Sequence, residues 1–139
     1  MVRADVARRH LARANARLEQ AAALLDRPVA QFVDDVQGRD LASFYLLLVI
    51  QEAVDLAAHW VSDAGWPMPT DAGSTFDLIA DRGGIDRELA ARLRAAIGLR
   101  NRIAHGYADV DHARLHREFQ EGADALRRFF AAVAGAARP

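Results

Sequence analysis

Apolar residues recur along most of this chain at steps of three and four, the spacing that places them on one face of an α-helix. Ala4, Ala7, Leu11, Ala14, Leu18, Ala21 and Leu25 form a coiled-coil-like seam, predicting a first helix of about 24 residues whose small seam positions permit close approach by another helix. Pro28 ends it or begins the next piece, in which Val29, Phe32, Val33 and Val36 share a face and Gly38 is the expected stop. Asp40 is the expected N-cap of a third helix running from Leu41 to about Ala64. The first half of that helix is apolar on nearly every side, which makes it the expected central element. Two prolines flanking one residue then force Gly65-Trp66-Pro67-Met68-Pro69 into a loop. Ser74 or Thr75 is the expected cap of a short fourth helix with Phe76, Ile79 and Ala80 inward and Gly83-Gly84 as its stop. Asp86 caps a further helix that closes at Gly106, where a left-handed residue is expected. Asp109 or Asp111 caps the last, on which Leu115, Phe119, Leu126, Phe129, Phe130 and Val133 form the inner face. No segment alternates as a strand does, and no period repeats. The pattern predicts an all-α fold, an antiparallel bundle of about five helices in one domain over residues 1–139.

Composition narrows the chemistry. Hydrophobic residues make up 52% of the chain, enough for one sizeable core. A formal net charge of -1 argues against a protein that coats nucleic acid, so any RNA contact must come from a local cluster of arginines. Cysteine and lysine are both absent, which removes disulfides, thiolate nucleophiles and Schiff-base chemistry. None of the five histidines stands in an HExxH, and neither a metal site nor a cofactor is expected. No export signal is visible, and the most apolar run, Phe44 to Ile50, is too short to cross a bilayer. A cytoplasmic protein without a membrane partner is the expectation.

The stretch Arg100-Asn101-Arg102-Ile103-Ala104-His105-Gly106-Tyr107 concentrates a fixed cation, an imidazole and a phenol. Arg100 falls in the middle of the apolar stripe made by Leu89, Leu93, Ala96, Ile97, Ile103 and Ala104, where a guanidinium must be paired or turned toward a cleft. Arg87, Arg94, Asn101 and His105 share a second, polar face. Arg100 and His105 lie about 140° apart on a straight helix, so they meet on one ligand only if the last turn loosens or a second chain contributes. Glu52, Asp55 and His59 share a stripe on the third helix and are possible partners for Arg100; a solvated stripe has the same spacing. A histidine in a last turn also suits the helix dipole, and a tyrosine beyond it can simply be a packing lid.

The motif R-x4-H-x-Y, with a polar residue after the arginine, resembles that of HepT-like toxins of the HEPN superfamily. From about Leu41 onward the order of elements is similar too: a long apolar helix containing Gln51-Glu52-Ala53-Val54-Asp55, a Gly-Trp-Pro loop, a short helix, Gly83-Gly84, the motif helix and a last helix. The resemblance implies a homodimeric ribonuclease whose two motifs meet in a shared groove. It also implies a MntA-like nucleotidyltransferase antitoxin that adenylylates the motif tyrosine, Tyr107 by position.

Imidazole and guanidinium can cleave RNA without metal, one removing the 2′-hydroxyl proton and the other stabilising charge on the phosphorane. His105 is the candidate base and Arg100 the phosphate clamp. Asn101 would orient substrate or imidazole, and Arg102 or Arg94 would add positive potential. One chain supplies one such histidine, so two copies about a two-fold axis would provide both base and acid. Two other readings use the same residues: a non-catalytic module binding a nucleotide or a partner, and a structural bundle with Arg100 locked to Glu52 or Asp55.

Overall fold

The computed structural model describes residues 2–106 and 109–138. Among these, six helices follow one another: α1 (Ala4–Leu25), α2 (Val29–Asp34), α3 (Val36–Ala64), α4 (Ala72–Asp81), α5 (Arg87–Gly106) and α6 (His112–Ala136). Two short strands that the periodicity does not reveal, β1 (Val2–Arg3) and β2 (Ala137–Arg138), pair in parallel and tie the two ends of the chain together. Two residues are too few to show a period of two, which is why they escape a pattern reading.

The caps decide where the helices begin. The Asp35 side chain accepts from the Gly38 amide at 3.0 Å, so α3 starts at Val36 and not at Leu41. Gly38 is therefore no stop. It lies in the first turn of α3, where a Cβ would strike the Asp35 carboxylate and the Arg27 guanidinium, themselves paired at 2.9 Å. Asp71, not Ser74 or Thr75, caps α4: it accepts from the Ser74 amide at 2.7 Å. Asp86 caps α5 through the Leu89 amide at 2.7 Å, and Asp111 caps α6 through Arg114 at 3.0 Å. Gly65 and Gly83 hold the left-handed turns after α3 and α4, at φ 74° and 81°.

α3 is the axis of the bundle and packs against every other helix. By length and composition it could cross a membrane. Here it buries Leu46, Val49, Ile50, Ala53, Leu56, Ala57, Trp60 and Val61 in the core. The small seam of α1 lies along it: Ala7, Ala14 and Ala21 are buried, leaving no bulk between the two helices. At the other end the core is aromatic, with Phe76 edge-on to Phe129 at 5.1 Å and Trp60 6.3 Å from Phe129. Gly84 presses against this cluster, since a Cβ there would lie 2.7 Å from both Trp60 Cζ2 and Ile79 Cγ2. That close approach fixes how α5 leaves α4.

Candidate functional site

The motif helix α5 is anchored at its start and at its inner face. Leu89, Ala90, Leu93 and Ile103 are buried, so the stripe predicted from periodicity is the one that packs. Arg100 sits within it, half-buried, and its guanidinium turns toward α3. Its Nη1 donates to Gln51 Oε1 at 3.4 Å, while Nε and Nη2 donate to Asn101 Oδ1 at 3.2 and 2.9 Å. Gln51 in turn donates to Asp55 Oδ1 at 3.1 Å.

Neither of the possible partners, Glu52 or Asp55, pairs directly with Arg100. Glu52 belongs to α1: its Oε1 takes Arg13 Nε at 2.7 Å and its Oε2 faces His10. Burial alone would raise the Glu52 carboxyl, but the hydrogen bonds from Arg13 and His10 outweigh it and hold it below the usual carboxylate range. Asp55 reaches Arg100 only through the Gln51 amide. Among the described residues Arg100 has neutral oxygens and no carboxylate as partners, so its charge stays available. Arg94, expected to add positive potential, is held by Asp77 of α4, with Nε at 2.9 Å, about three helical turns from His105.

His105 is exposed and lines a cleft of about 510 Å³ where the end of α5 meets the start of α6. Asn101, Arg102, Asp109, Asp111, Arg114 and Glu118 share that cleft. Arg114 is occupied by Glu118 at 3.0 Å, whereas Arg102 has no ion-pair partner among the described residues. Arg102 and His105, three residues apart, are thus the guanidinium and imidazole that one chain presents together. A second groove of about 390 Å³ adjoins it, floored by apolar residues including Leu46, Ile50 and Phe119 and edged by the same Arg102 and Arg114.

The helix is regular to Gly106, whose φ is not positive, so the expected left-handed residue is not at Gly106 and the last turn does not loosen. Arg100 and His105 therefore remain about 140° apart, one facing α3 and the other facing α6. Tyr107 lies outside the described residues. The periodicity does not reveal the contacts of Gln51 with Arg100, of Arg114 with the cleft, or of His10 and Arg13 with Glu52. Gln51 did carry a local signal, standing on the stripe that Leu41, Phe44 and Leu48 form along α3.

Comparison with known proteins places this geometry among relatives. Residues 14–133 match the family described as Ribonuclease HepT-like. A protein of Archaeoglobus fulgidus, named as a candidate RNase, is 35% identical over 91 residues, covering 65% of this chain and 68% of its own. The tri-AMPylated HEPN toxin of Shewanella oneidensis, solved in complex with an MNT antitoxin, superposes with TM-score 0.86 at 19% identity, over 94% of this chain and 98% of that one. YutE of Bacillus subtilis, a cytosolic protein of unknown function, superposes with TM-score 0.76 at 17% identity, over 93% and 89% of the two chains. At these identities the structural likeness speaks for the fold alone.

Proposed function

The chain belongs to the HepT-like ribonuclease family, and from that premise we propose that it is a metal-independent endoribonuclease, the toxin of a toxin-antitoxin pair, acting as a homodimer. The observation that carries the proposal is the Arg100 guanidinium: half-buried, aimed by Gln51 and Asn101, and not neutralised by any carboxylate among the described residues. A cation held at that cost suits an anion that arrives from outside.

In the proposed reaction His105 takes the proton of an RNA 2′-hydroxyl and the freed 2′-oxygen attacks the adjacent phosphorus. Guanidinium N–H groups stabilise the phosphorane. The P–O5′ bond then breaks, and the leaving oxygen takes a proton from a second imidazole. One chain carries a single motif histidine, and its own Arg100 and His105 face different helices. A two-fold partner supplies what is missing, with its Arg100 or His105 brought to the cleft that already holds Arg102.

An apolar stripe supports where the partner sits. Leu41 and Phe44 of α3 are 41% and 51% exposed, and the stripe continues through Leu48 to Gln51, the residue that holds Arg100. A face that is apolar and ends at the motif suits self-association. In the regulatory part of the proposal, the partner is a MntA-like nucleotidyltransferase that transfers AMP to Tyr107. The AMPylated state and MNT partner of the S. oneidensis toxin support this part. The cytosolic relative supports a cytoplasmic site of action.

The test is cleavage of a mixed RNA substrate by purified protein with EDTA present throughout. Activity should persist in the chelator, and His105→Ala should lower the rate by about 10²-fold or more while leaving the helical signal intact. Dependence of cleavage on added magnesium would contradict the mechanism.

A further inference from the structure

We infer that His10 of α1 with Glu52 and Asp55 of α3 forms a binding site for a borderline divalent transition-metal ion such as zinc. The three residues offer one imidazole nitrogen and two carboxylates whose ligand atoms all lie within 4.8 Å of one another, at half-buried positions. Three ligands at about 2.1 Å around a tetrahedral ion are about 3.4 Å apart, so side-chain adjustments of about an ångström close the site. Glu52 and Asp55 are three residues apart on one helix face, and His10 approaches from the neighbouring helix, so no backbone movement is required. His59, four residues beyond Asp55 and exposed, has its ring 5.3 Å from that of His10 and would reach the fourth position by turning its side chain.

The hydrogen bonds around His10 point the same way. Its Nδ1 faces Glu52 Oε2 and also lies 3.2 Å from Arg13 Nη2. One ring nitrogen cannot donate to a carboxylate and accept from a guanidinium at once. A cation bound by Nδ1 and Oε2, once these two atoms part by about an ångström, removes that conflict, because both then present lone pairs to it. Arg13 is 55% exposed on its side chain, so Nη2 can turn to water while Nε keeps its bond to Oε1 and orients the ligating carboxylate. Two carboxylates balance the ion's charge. The imidazole selects zinc, cobalt or nickel over magnesium or calcium, which prefer an all-oxygen shell. The inference does not rest on the nuclease reading, since none of these residues lines the His105 cleft.

Untagged full-length protein, stripped with a chelator and exchanged into metal-free buffer, is titrated with cobalt(II) and then with zinc(II). Cobalt should give the visible ligand-field absorption of a low-symmetry protein site. Zinc should abolish that absorption at one equivalent and raise the melting temperature. His10→Ala and Asp55→Asn should each weaken zinc binding by more than about tenfold, since loss even of partners beyond the ligands costs that much. His59→Ala should weaken it as well, and His105→Ala should bind as the parent does. Circular dichroism checks that each variant is folded. If cobalt gives only its aqueous spectrum, if both His10→Ala and Asp55→Asn bind as the parent, or if His105→Ala abolishes binding, the inference is overturned.

Discussion

Arg100 is held by amide oxygens, which accept N–H donors without cancelling charge. That arrangement orients the guanidinium and leaves its positive potential for a phosphate. A lysine has one nitrogen and no planar fork, so it cannot satisfy Asn101 and Gln51 and bind phosphate at the same time. Arg100→Lys should therefore remain folded and lose most RNA cleavage in a direct assay; parental rates in that variant would remove Arg100 from the mechanism. Tyr107 belongs to the same scale. Adenylylation there would bring bulk and a phosphodiester charge close in sequence to Arg102 and His105, blocking RNA at its own anion site. Tyr107→Phe keeps the ring and loses the acceptor oxygen. It should stay folded and escape a co-expressed nucleotidyltransferase, and intact-mass spectrometry should find AMP on the parent only. Silencing of the Phe variant to the parental degree would count against control through this oxygen.

At the scale of elements, α6 is joined to α2 and the turns on either side of it by two histidines one turn apart. His116 Nε2 lies 2.7 Å from the Arg27 carbonyl and its ring packs on Phe32, while His112 sits between Phe32, Arg39 and Asp40. Burial, together with the nearby Arg39 charge, depresses the His112 imidazole below its ordinary value of 6.5, against the weaker opposing pull of Asp40 and Asp111. The native state thus binds a proton less readily than the unfolded chain does. Its contribution to stability is complete above pH 6.5 and is lost as the pH falls from there through the lowered native value. Urea midpoints measured from pH 7.5 down to 5 should fall for the parent, and His112→Gln should flatten that portion of the curve. An unchanged slope in the variant would assign the dependence to other groups.

For the whole molecule the question is which surface a second copy uses. The small-residue seam of α1 suits close helix approach, but it is consumed within the chain against α3. The exposed apolar stripe of α3, through Leu41 and Phe44, remains, and it leads to Gln51 and Arg100. Light scattering at micromolar concentration should give the dimer mass for the parent. Phe44→Glu, which places a charge on that stripe without touching the core, should give the monomer and lose cleavage while keeping its helical content. A parent that is monomeric would refute the shared-site mechanism. A Phe44→Glu variant that stays dimeric would move the interface elsewhere.

The periodicity of three and four, the proline loop and the Asp86 and Asp111 caps are local signals, and they placed the all-α class, most helix faces and the motif on α5 correctly. Cap propensity misplaced two starts: Asp35 and Asp71, not the expected Asp40 and Ser74 or Thr75, cap α3 and α4, because their carboxylates reach the Gly38 and Ser74 amides. The partners of Arg100 were beyond sequence for a different reason. One residue of shift turns a helix face by about 100°, so whether Gln51, Glu52 or Asp55 meets the guanidinium depends on how α3 and α5 are rotated against each other. Glu52 is turned instead toward His10 and Arg13, 42 and 39 residues away along the chain. Side-chain pattern determines which faces are buried; only the packing of whole helices determines which polar groups those faces bring together.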